Sequence, residues 1–192
     1  MRIIAGTWRS RRLEAPAGLD TRPTTDRTRE ALFSHLQSAR LPAGWSGQRV
    51  LDLFAGTGAL GLEALSRGAA QACLVDSAPA ALQALRHNVK TLDAHDRCQV
   101  VQAALPEGLE RLTTPGGWQL VFMDAPYDGP TGPRTLAALA THRRSLLAPG
   151  AWIVYEHRRQ HPPALVPGLL LRDTRTWGDT ALWFLQPDEN AP

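Results

Sequence analysis

Three stretches of the chain hold residue types whose spacing suits ligand chemistry. The first is Asp52-Leu53-Phe54-Ala55-Gly56-Thr57-Gly58-Ala59-Leu60-Gly61. Gly56, Gly58 and Gly61 keep the G-x-G-x-x-G spacing of a turn that lets the backbone approach a nucleotide closely. Asp76 follows Gly56 by 20 residues, where a carboxylate can take two ribose hydroxyls. This pattern alone suits NAD and S-adenosylmethionine equally. Asp52 favours the second. A dinucleotide places an anionic pyrophosphate against such a turn, and a carboxylate nearby does nothing for it. S-adenosylmethionine brings a sulfonium and an ammonium, both of which a carboxylate attracts. Asp52, Phe54, Gly56, Gly58, Asp76 and Ser77 are therefore the candidate cofactor contacts. Taken alone, Asp52 reads equally well as a solvated acid at a strand end.

The second stretch is Asp124-Ala125-Pro126-Tyr127, which follows the apolar run Val121-Phe122-Met123. The exocyclic amine of a nucleic-acid base is a poor nucleophile, because its lone pair is conjugated into the ring. Two acceptors on its two N–H bonds can aim that lone pair at a methyl group. The Asp124 carboxylate supplies one acceptor and the carbonyl of Ala125 the other. Pro126 stiffens the turn, and Tyr127 offers a ring on which a base can stack. An Asp-x-Pro turn with a packed tyrosine is the plainer alternative. It loses ground because a glycine loop with two acids belongs to the same chain.

The third stretch is basic. Residues 1–29 carry seven arginines (2, 9, 11, 12, 22, 27, 29) against Glu14, Asp20 and Asp26, a net of +4 in a chain of net +3. Lys90 is the only lysine. Arginine forks onto phosphate and stacks on bases, so Arg9, Arg11, Arg12, Arg22 and Arg27 are candidate RNA contacts. A solvated tail in an arginine-rich composition explains the same charge equally well.

The elements that must position these residues follow a repeated order of strand, turn and helix. Predicted strands are Val50–Phe54, Ala72–Asp76, Gln99–Gln102, Leu120–Asp124 and Ala151–Glu156. Predicted helices are Ala59–Ser66, a segment capped by Ser77 with Pro79 in its first turn, a short one opened by Pro106, and Thr135–Leu147. In the capped helix, Leu82, Leu85, Val89 and Leu92 share a face. Such alternation implies an α/β fold, a Rossmann-like, doubly wound, mostly parallel sheet. Leu169–Thr174 and Thr180–Leu185 read as a closing antiparallel hairpin around Trp177-Gly178-Asp179. Ligands bind beyond the carboxyl ends of such strands, which selects residues 52–61, 76–77, 102–104, 124–127 and 156–158. Before the first strand, a helix is expected after Pro23-Thr24-Thr25-Asp26, with Leu32, Leu36 and Ala39 on one face. Arg2–Ala5 and Arg11–Ala15 suit a small hairpin. The division expected is a basic arm over residues 1–24 and one domain over 25–192.

At 192 residues and 43% hydrophobic composition, the chain can bury a proper core. No apolar run nears the roughly 18 residues of a membrane span, and no signal-peptide core follows Met1. A cytoplasmic location is expected. Cys73 and Cys98 read as buried strand residues. His87, His95, His142, His157 and His161 lack metal spacing, so no metal site is expected. Of these, His157 alone falls just past a strand end.

These motifs together resemble the bacterial 16S ribosomal RNA guanine-N2 methyltransferase family often called RsmD. The likeness runs nearly end to end. It covers Met1-Arg2-Ile3-Ile4-Ala5-Gly6-Thr7-Trp8-Arg9, the distinctive block Arg22-Pro23-Thr24-Thr25-Asp26-Arg27-Thr28-Arg29-Glu30-Ala31-Leu32-Phe33, and Leu51 through Gly68. Tyr155-Glu156 and Trp177-Gly178 fall where the family has its last crevice loop and hairpin. The resemblance implies the class I methyltransferase sheet of seven strands and S-adenosyl-L-methionine as cofactor. It implies as substrate a guanine of 16S rRNA in the small ribosomal subunit or its assembly intermediate. It also places Arg22, Thr24, Thr25 and Arg27 near the cofactor or the RNA, although Thr24, Thr25 and Asp26 equally suit helix capping. Two positions depart from the family. Ala125 stands where the family has the first proline of Asp-Pro-Pro-Tyr. Gln102-Ala103-Ala104 lacks the acid that the family often carries there, leaving Gln102 and Ala104 to meet the adenine. DNA adenine-N6 methylation uses the same tetrapeptide logic, but the chain has little room for a DNA-reading domain. An NAD-dependent oxidoreductase and a non-catalytic assembly factor are the other readings. A monomer is expected.

Overall fold

The computed structural model describes residues 1–16, 26–41, 43–127 and 129–191. Arg22, Thr24 and Thr25, and the expected boundary at residue 24, lie outside them. The chain divides into two compact units, Met1–Gln102 and Ala103–Pro192.

The first unit holds helix α1 (Asp26–His35), β1 (Arg49–Leu53), α2 (Ala59–Ser66), β2 (Gln71–Asp76), α3 (Pro79–Thr91) and β3 (Cys98–Gln102). Its strands are parallel in the order β3-β2-β1, with Leu51 opposite Cys73 and Cys73 opposite Gln99. Val50–Leu53 and Ala72–Val75 are wholly buried. That is why these strands read as continuous apolar runs rather than alternating ones. Helix α2 is buried almost all round, and Gly61 sits inside it because a Cβ there would lie 2.3 Å from Leu74 Cδ2. Helix α3 packs Leu82, Leu85, Val89 and Leu92 as the spacing predicts.

Two local expectations need correction here. The predicted cap, Ser77, gives no capping bond. Ala78 is the residue before the α3 helix, and its N–H is taken by Asp76 Oδ1 at 2.9 Å. Ala39 does not share the buried face of Leu32 and Leu36. The chain widens to a π-helical turn over Leu36–Arg40, closed by Leu41 N–H to Leu36 C=O at 2.8 Å, and this rotates Ala39 into solvent.

The basic arm is docked. Ile3 and Leu13 are buried, and Ile3 N–H meets Arg11 C=O at 2.9 Å around an antiparallel bridge between Arg2 and Arg12. Glu63, fully buried on α2, accepts the N–H groups of Ile4 (2.6 Å) and Ala5 (3.0 Å) and the Arg67 guanidinium (2.8 Å). Ser66 Oγ donates to Ala5 C=O at 2.6 Å and accepts Trp8 N–H at 2.9 Å. Asn88 of α3 brackets Glu14 with two backbone bonds. The N–H groups of Ile4, Ala5, Trp8 and Glu14 are thus satisfied by side chains of α2 and α3. Gly6 permits this approach: its φ is +82°, and a Cβ would fall 1.9 Å from Ser66 C=O oxygen. Gly6→Ala is expected to lower the thermal midpoint by about 5–10 °C, a loss of roughly 2–3 kcal/mol. Gly44→Ala serves as control, because Gly44 has φ +80° but nothing within 4 Å. Calorimetry should therefore find a clearly smaller loss there.

The second unit holds β4 (Trp118–Met123), α4 (Thr131–Thr141), α5 (Arg143–Leu146), β5 (Leu147–Arg158), β6 (Leu169–Trp177) and β7 (Thr180–Pro187). Strands β4 and β5 are parallel. β7 runs antiparallel to β5 and to β6, giving the order β4-β5-β7-β6. The single helix expected over 135–147 begins earlier, at Thr131, and breaks at His142 into α4 and α5. Pro106 opens only a turn leading to a 3-10 turn at Leu109–Arg111, with Leu109 and Leu112 buried as expected. The seven strands, mostly parallel with an antiparallel C-terminal pair, make the α/β fold that the element order predicts.

Candidate active site

The first unit offers a nucleotide turn. Phe54, Gly56 and Gly58 have φ of +62°, +55° and +78°, so three of five residues are left-handed and the chain leaves β1 sharply. The glycines do different work. A Cβ on Gly58 would meet Leu85 Cδ2 at 2.9 Å, whereas a Cβ on Gly56 would meet nothing within 4 Å. Gly58 and Gly61 serve packing beneath the turn, and Gly56 turns its bare backbone to open space. Asp76 clamps the turn: Oδ2 accepts Gly56 N–H at 2.9 Å, while Oδ1 holds Ala78 N–H. A carboxylate has about four acceptor sites, so two backbone bonds leave capacity for ribose hydroxyls. Asn88 Nδ2 donates to Thr57 C=O at 2.9 Å, which ties the turn to the docked arm.

Asp52 lies beneath the turn, 1% exposed, and its Oδ2 accepts Gly61 N–H at 2.8 Å. Burial pushes its carboxyl up to about 7, opposed by the Gly61 bond and reinforced by the charge of Asp76. Asp52 is therefore no solvated strand-end acid. Near neutral pH it is poised to ionise when a cation approaches. The site's residues fit a cationic nucleoside cofactor: a bare left-handed turn, a clamping Asp76 and a buried acid short of positive charge. Register places Gln102 opposite Asp76. Gln102, Ser77 and Ala104 are all exposed.

The second unit holds the tetrapeptide at the end of β4. Asp124 is partly exposed, Ala125 is 3% exposed and Pro126 is exposed. Packing holds the position where the family's first proline is missing. A Cβ on Gly132, at the start of α4, would come within 3.0 Å of Ala125 Cβ and 2.7 Å of Tyr155 OH. A cavity of about 310 Å³ opens beside these residues, lined by Ala125, Pro126, Tyr127, Glu156, Arg158 and His161 among others. Tyr127 OH donates to Glu156 Oε1 at 2.5 Å and lies 3.4 Å from Thr180 Oγ1. Burial and the Glu156 carboxylate both raise the phenol above its ordinary range, so it stays protonated. The Arg158 guanidinium lies 5.6 Å from the Tyr127 ring centroid, a cation–π distance.

Glu156 is the residue that the sequence leaves without a role. Its signals are its place at a strand end and the Tyr155-Glu156 match to the family, and its bond to Tyr127 spans 29 positions. His157, the one histidine expected just past a strand end, is part of the lining of the same cavity. It is 5% exposed, its Nδ1 lies 2.9 Å from Arg158 C=O, and its ring is edge-on to Trp183 at 4.9 Å. Burial lowers its pKa. Of the basic candidates, Arg9, Arg11, Arg12 and Arg27 are exposed, although Arg11 Nη2 donates to Thr91 C=O at 3.0 Å.

Comparison with known proteins finds relatives along nearly the whole chain. A family model described as Conserved hypothetical protein 95 matches residues 1–186. A Bacillus subtilis (strain 168) protein named "Putative rRNA methyltransferase YlbH" is 36% identical over 189 residues, covering 95% of this chain and 96% of that one. The Escherichia coli (strain K12) "Ribosomal RNA small subunit methyltransferase D" is 44% identical over 127 residues, 66% of this chain and 60% of that protein. A solved Escherichia coli structure described as "Putative methyltransferase yhhF" superposes with a TM-score of 0.79 at 36% identity, covering 98% of both chains. The chain thus belongs to the family described as Conserved hypothetical protein 95, the RsmD family that its motifs resemble.

Proposed function

We propose that this chain methylates the exocyclic N2 of a guanine in the 16S rRNA of the small ribosomal subunit or its assembly intermediate, using S-adenosyl-L-methionine. The observation that carries this reading is the Asp124-Ala125-Pro126-Tyr127 ending of β4, whose Ala125, Pro126 and Tyr127 line a cavity in which Glu156 holds the tyrosine. S-adenosylmethionine supplies an electrophilic methyl group when bound. Asp52, Phe54, Gly56, Gly58, Asp76, Ser77, Gln102, Ala104 and Thr25 would hold it, with Asp76 on the ribose and the buried Asp52 supplying negative charge. Asp124 and the Ala125 carbonyl take the two N–H bonds of the amine and turn its lone pair outward. As nitrogen gains positive charge, the Asp124 carboxylate stabilises it; the C–S electron pair would stay on sulfur, and the nitrogen sheds its surplus N–H proton to that carboxylate or to solvent. Tyr127 carries the base, which must leave any stack to enter. Pro126 fixes the turn between them. Most of the rate then comes from orientation. Exposed Arg9, Arg11, Arg12 and Arg27, with Arg22, are proposed to meet RNA phosphates.

No helix among the described residues is long and apolar enough to cross a membrane. A cytoplasmic monomer acting on ribosomal particles completes the proposal.

The test is transfer of label from tritiated S-adenosylmethionine to small subunits from cells lacking the endogenous enzyme, to free 16S RNA and to duplex DNA. Recovery of N2-methylguanosine from 16S RNA is the expected result. Label in DNA as N6-methyladenine would replace the substrate class. Binding of the cofactor without label anywhere would favour a non-catalytic assembly factor.

A further inference from the structure

The closing hairpin carries a tryptophan that methyl transfer as outlined does not use. Trp177 pairs with Thr180 across the Gly178-Asp179 turn, at the end of β6 and the start of β7. Residues directly opposite in antiparallel strands put their side chains on one face of the sheet. Thr180 Oγ1 lies 3.4 Å from Tyr127 OH, so Trp177 stands on the face that carries Tyr127. Thr180 also pairs with Arg158 of β5, whose guanidinium lies over the Tyr127 ring. Arg158, Thr180 and Trp177 thus make one row across three strands, from the cavity beside Tyr127 to the edge strand β6. Neighbouring strands lie about 5 Å apart, which sets the Trp177 backbone about 10 Å from that of Arg158 along the row.

Trp45, Trp118 and Trp183 are buried in the core, whereas Trp177 is half-buried and its ring stacks on no described aromatic side chain. The charges around it cancel. Glu156 and Asp173 share the face with Arg158 and Arg175, and Asp173 Oδ2 accepts Arg175 Nε–H at 3.1 Å. Such a surface offers a nucleic acid a ring more than an attraction for phosphate.

A base that leaves its stack to enter the cavity deprives its neighbour of a stacking partner. Single strands are held by aromatic side chains on which successive bases stack, whatever the base. Tyr127 and Trp177 are two such rings on one face, joined by Arg158 and Thr180.

We propose that Trp177 is a second stacking platform, which takes the base next to the methylated nucleotide of the RNA strand. This rests on the amine-methylation reading above. Tyr127 carries the target base, and Trp177 holds the strand open beside it. The contact forms on docking and persists through the reaction, so it acts on KM rather than kcat.

The test uses Trp177 variants and small subunits reconstituted with an abasic nucleotide on one side or the other of the methylated position, which nucleoside mapping locates first. Trp177→Ala is expected to raise KM for intact subunits about 10-fold or more, with kcat and calorimetric binding of S-adenosylmethionine close to wild type. The loss should be the same at low and high salt, because no phosphate contact goes with it. Trp177→Tyr should recover most of it. One of the two abasic subunits should cost wild-type enzyme about as much, and cost Trp177→Ala little more. Additive losses on both sides would overturn the proposal, since ring and neighbouring base would not then meet. So would a Trp177→Ala loss confined to kcat, because Trp177 would then act only by positioning Tyr127 through Thr180. A KM within about twofold of wild type in Trp177→Ala would overturn it as well. Wild-type enzyme that labels no RNA would instead defeat the amine-methylation reading itself.

Discussion

Asp124→Ala is expected to lower methyl transfer to small subunits by about 100- to 1,000-fold while leaving cofactor affinity close to wild type. The reasoning is differential: the carboxylate meets an amine that gains positive charge only as the new bond forms. Its removal therefore costs more in the transition state than in the ground state. The loss should fall on kcat rather than on KM for the particle, since phosphate contacts elsewhere govern docking. Asp124→Asn separates geometry from charge. The amide oxygen can still accept one N–H, so most of the remaining deficit is electrostatic. The result that would sink the assignment is an Asp124→Ala enzyme with kcat within a few-fold of wild type, measured beside unchanged calorimetric binding of the cofactor.

Asp52→Asn is expected to do two opposite things. The folded-state carboxyl titrates at about 7, raised by burial from its ordinary 3.8. In the folded chain the group keeps its proton between those values, while the unfolded chain loses it. Stability from this group is greatest in acid and falls as pH rises from about 4 to about 7. Asparagine has no such titration, and its amide oxygen can still accept Gly61 N–H. The variant should therefore gain on wild type by roughly 2–3 kcal/mol between pH 5 and pH 8, or about 5–10 °C in thermal midpoint. Ligand binding should move the other way. A cationic cofactor favours the ionised carboxyl, so wild-type affinity should strengthen from pH 6 to pH 8 with proton release. The asparagine variant should bind more weakly above pH 7 and show a flatter profile. Calorimetry in buffers of different ionisation enthalpy reads the proton directly. Equal proton release by wild type and variant would remove Asp52 from the account.

Much of this molecule was legible from residue order. The strand ending at Asp76, the helix Ala59–Ser66 and the apolar face of Leu82, Leu85, Val89 and Leu92 all lie where the periodicity puts them. The boundaries that shifted did so for local reasons that composition does not reveal. Ser77 suits a cap by type, yet the helix starts one residue later behind Ala78, whose N–H the Asp76 carboxylate takes while also clamping Gly56. Ala39 fitted a 3.6-residue repeat until the helix widened at Leu36. Nothing in the order Leu36-Gln37-Ser38-Ala39-Arg40 announces a π-helical turn.

The basic arm shows the sharper divide. Charge alone described a possible tail, because charge counts do not report where backbone N–H groups find partners. The hairpin pattern of Arg2–Ala5 and Arg11–Ala15 pointed to local order, met by the Arg2–Arg12 bridge, but not to its docking partner, Glu63 of α2. In three dimensions it receives Ile4, Ala5 and Arg67 at once.

By itself, the sequence determined the strand and helix succession, the glycine turn with its two acids, the Asp-Ala-Pro-Tyr ending and the likeness to one family. The elements and turns among these depend on neighbours within a few positions, where side-chain alternation and turn chemistry act. Only the tertiary structure decided what distance in sequence conceals. It set the burial that raises Asp52, the docking of residues 1–16 through Glu63, Ser66 and Asn88, and the pairing of Tyr127 with Glu156. A buried carboxylate's proton affinity and a phenol's partner are set by whatever folding brings alongside. No local pattern encodes that, because the partners come from separate elements that meet only when the core closes.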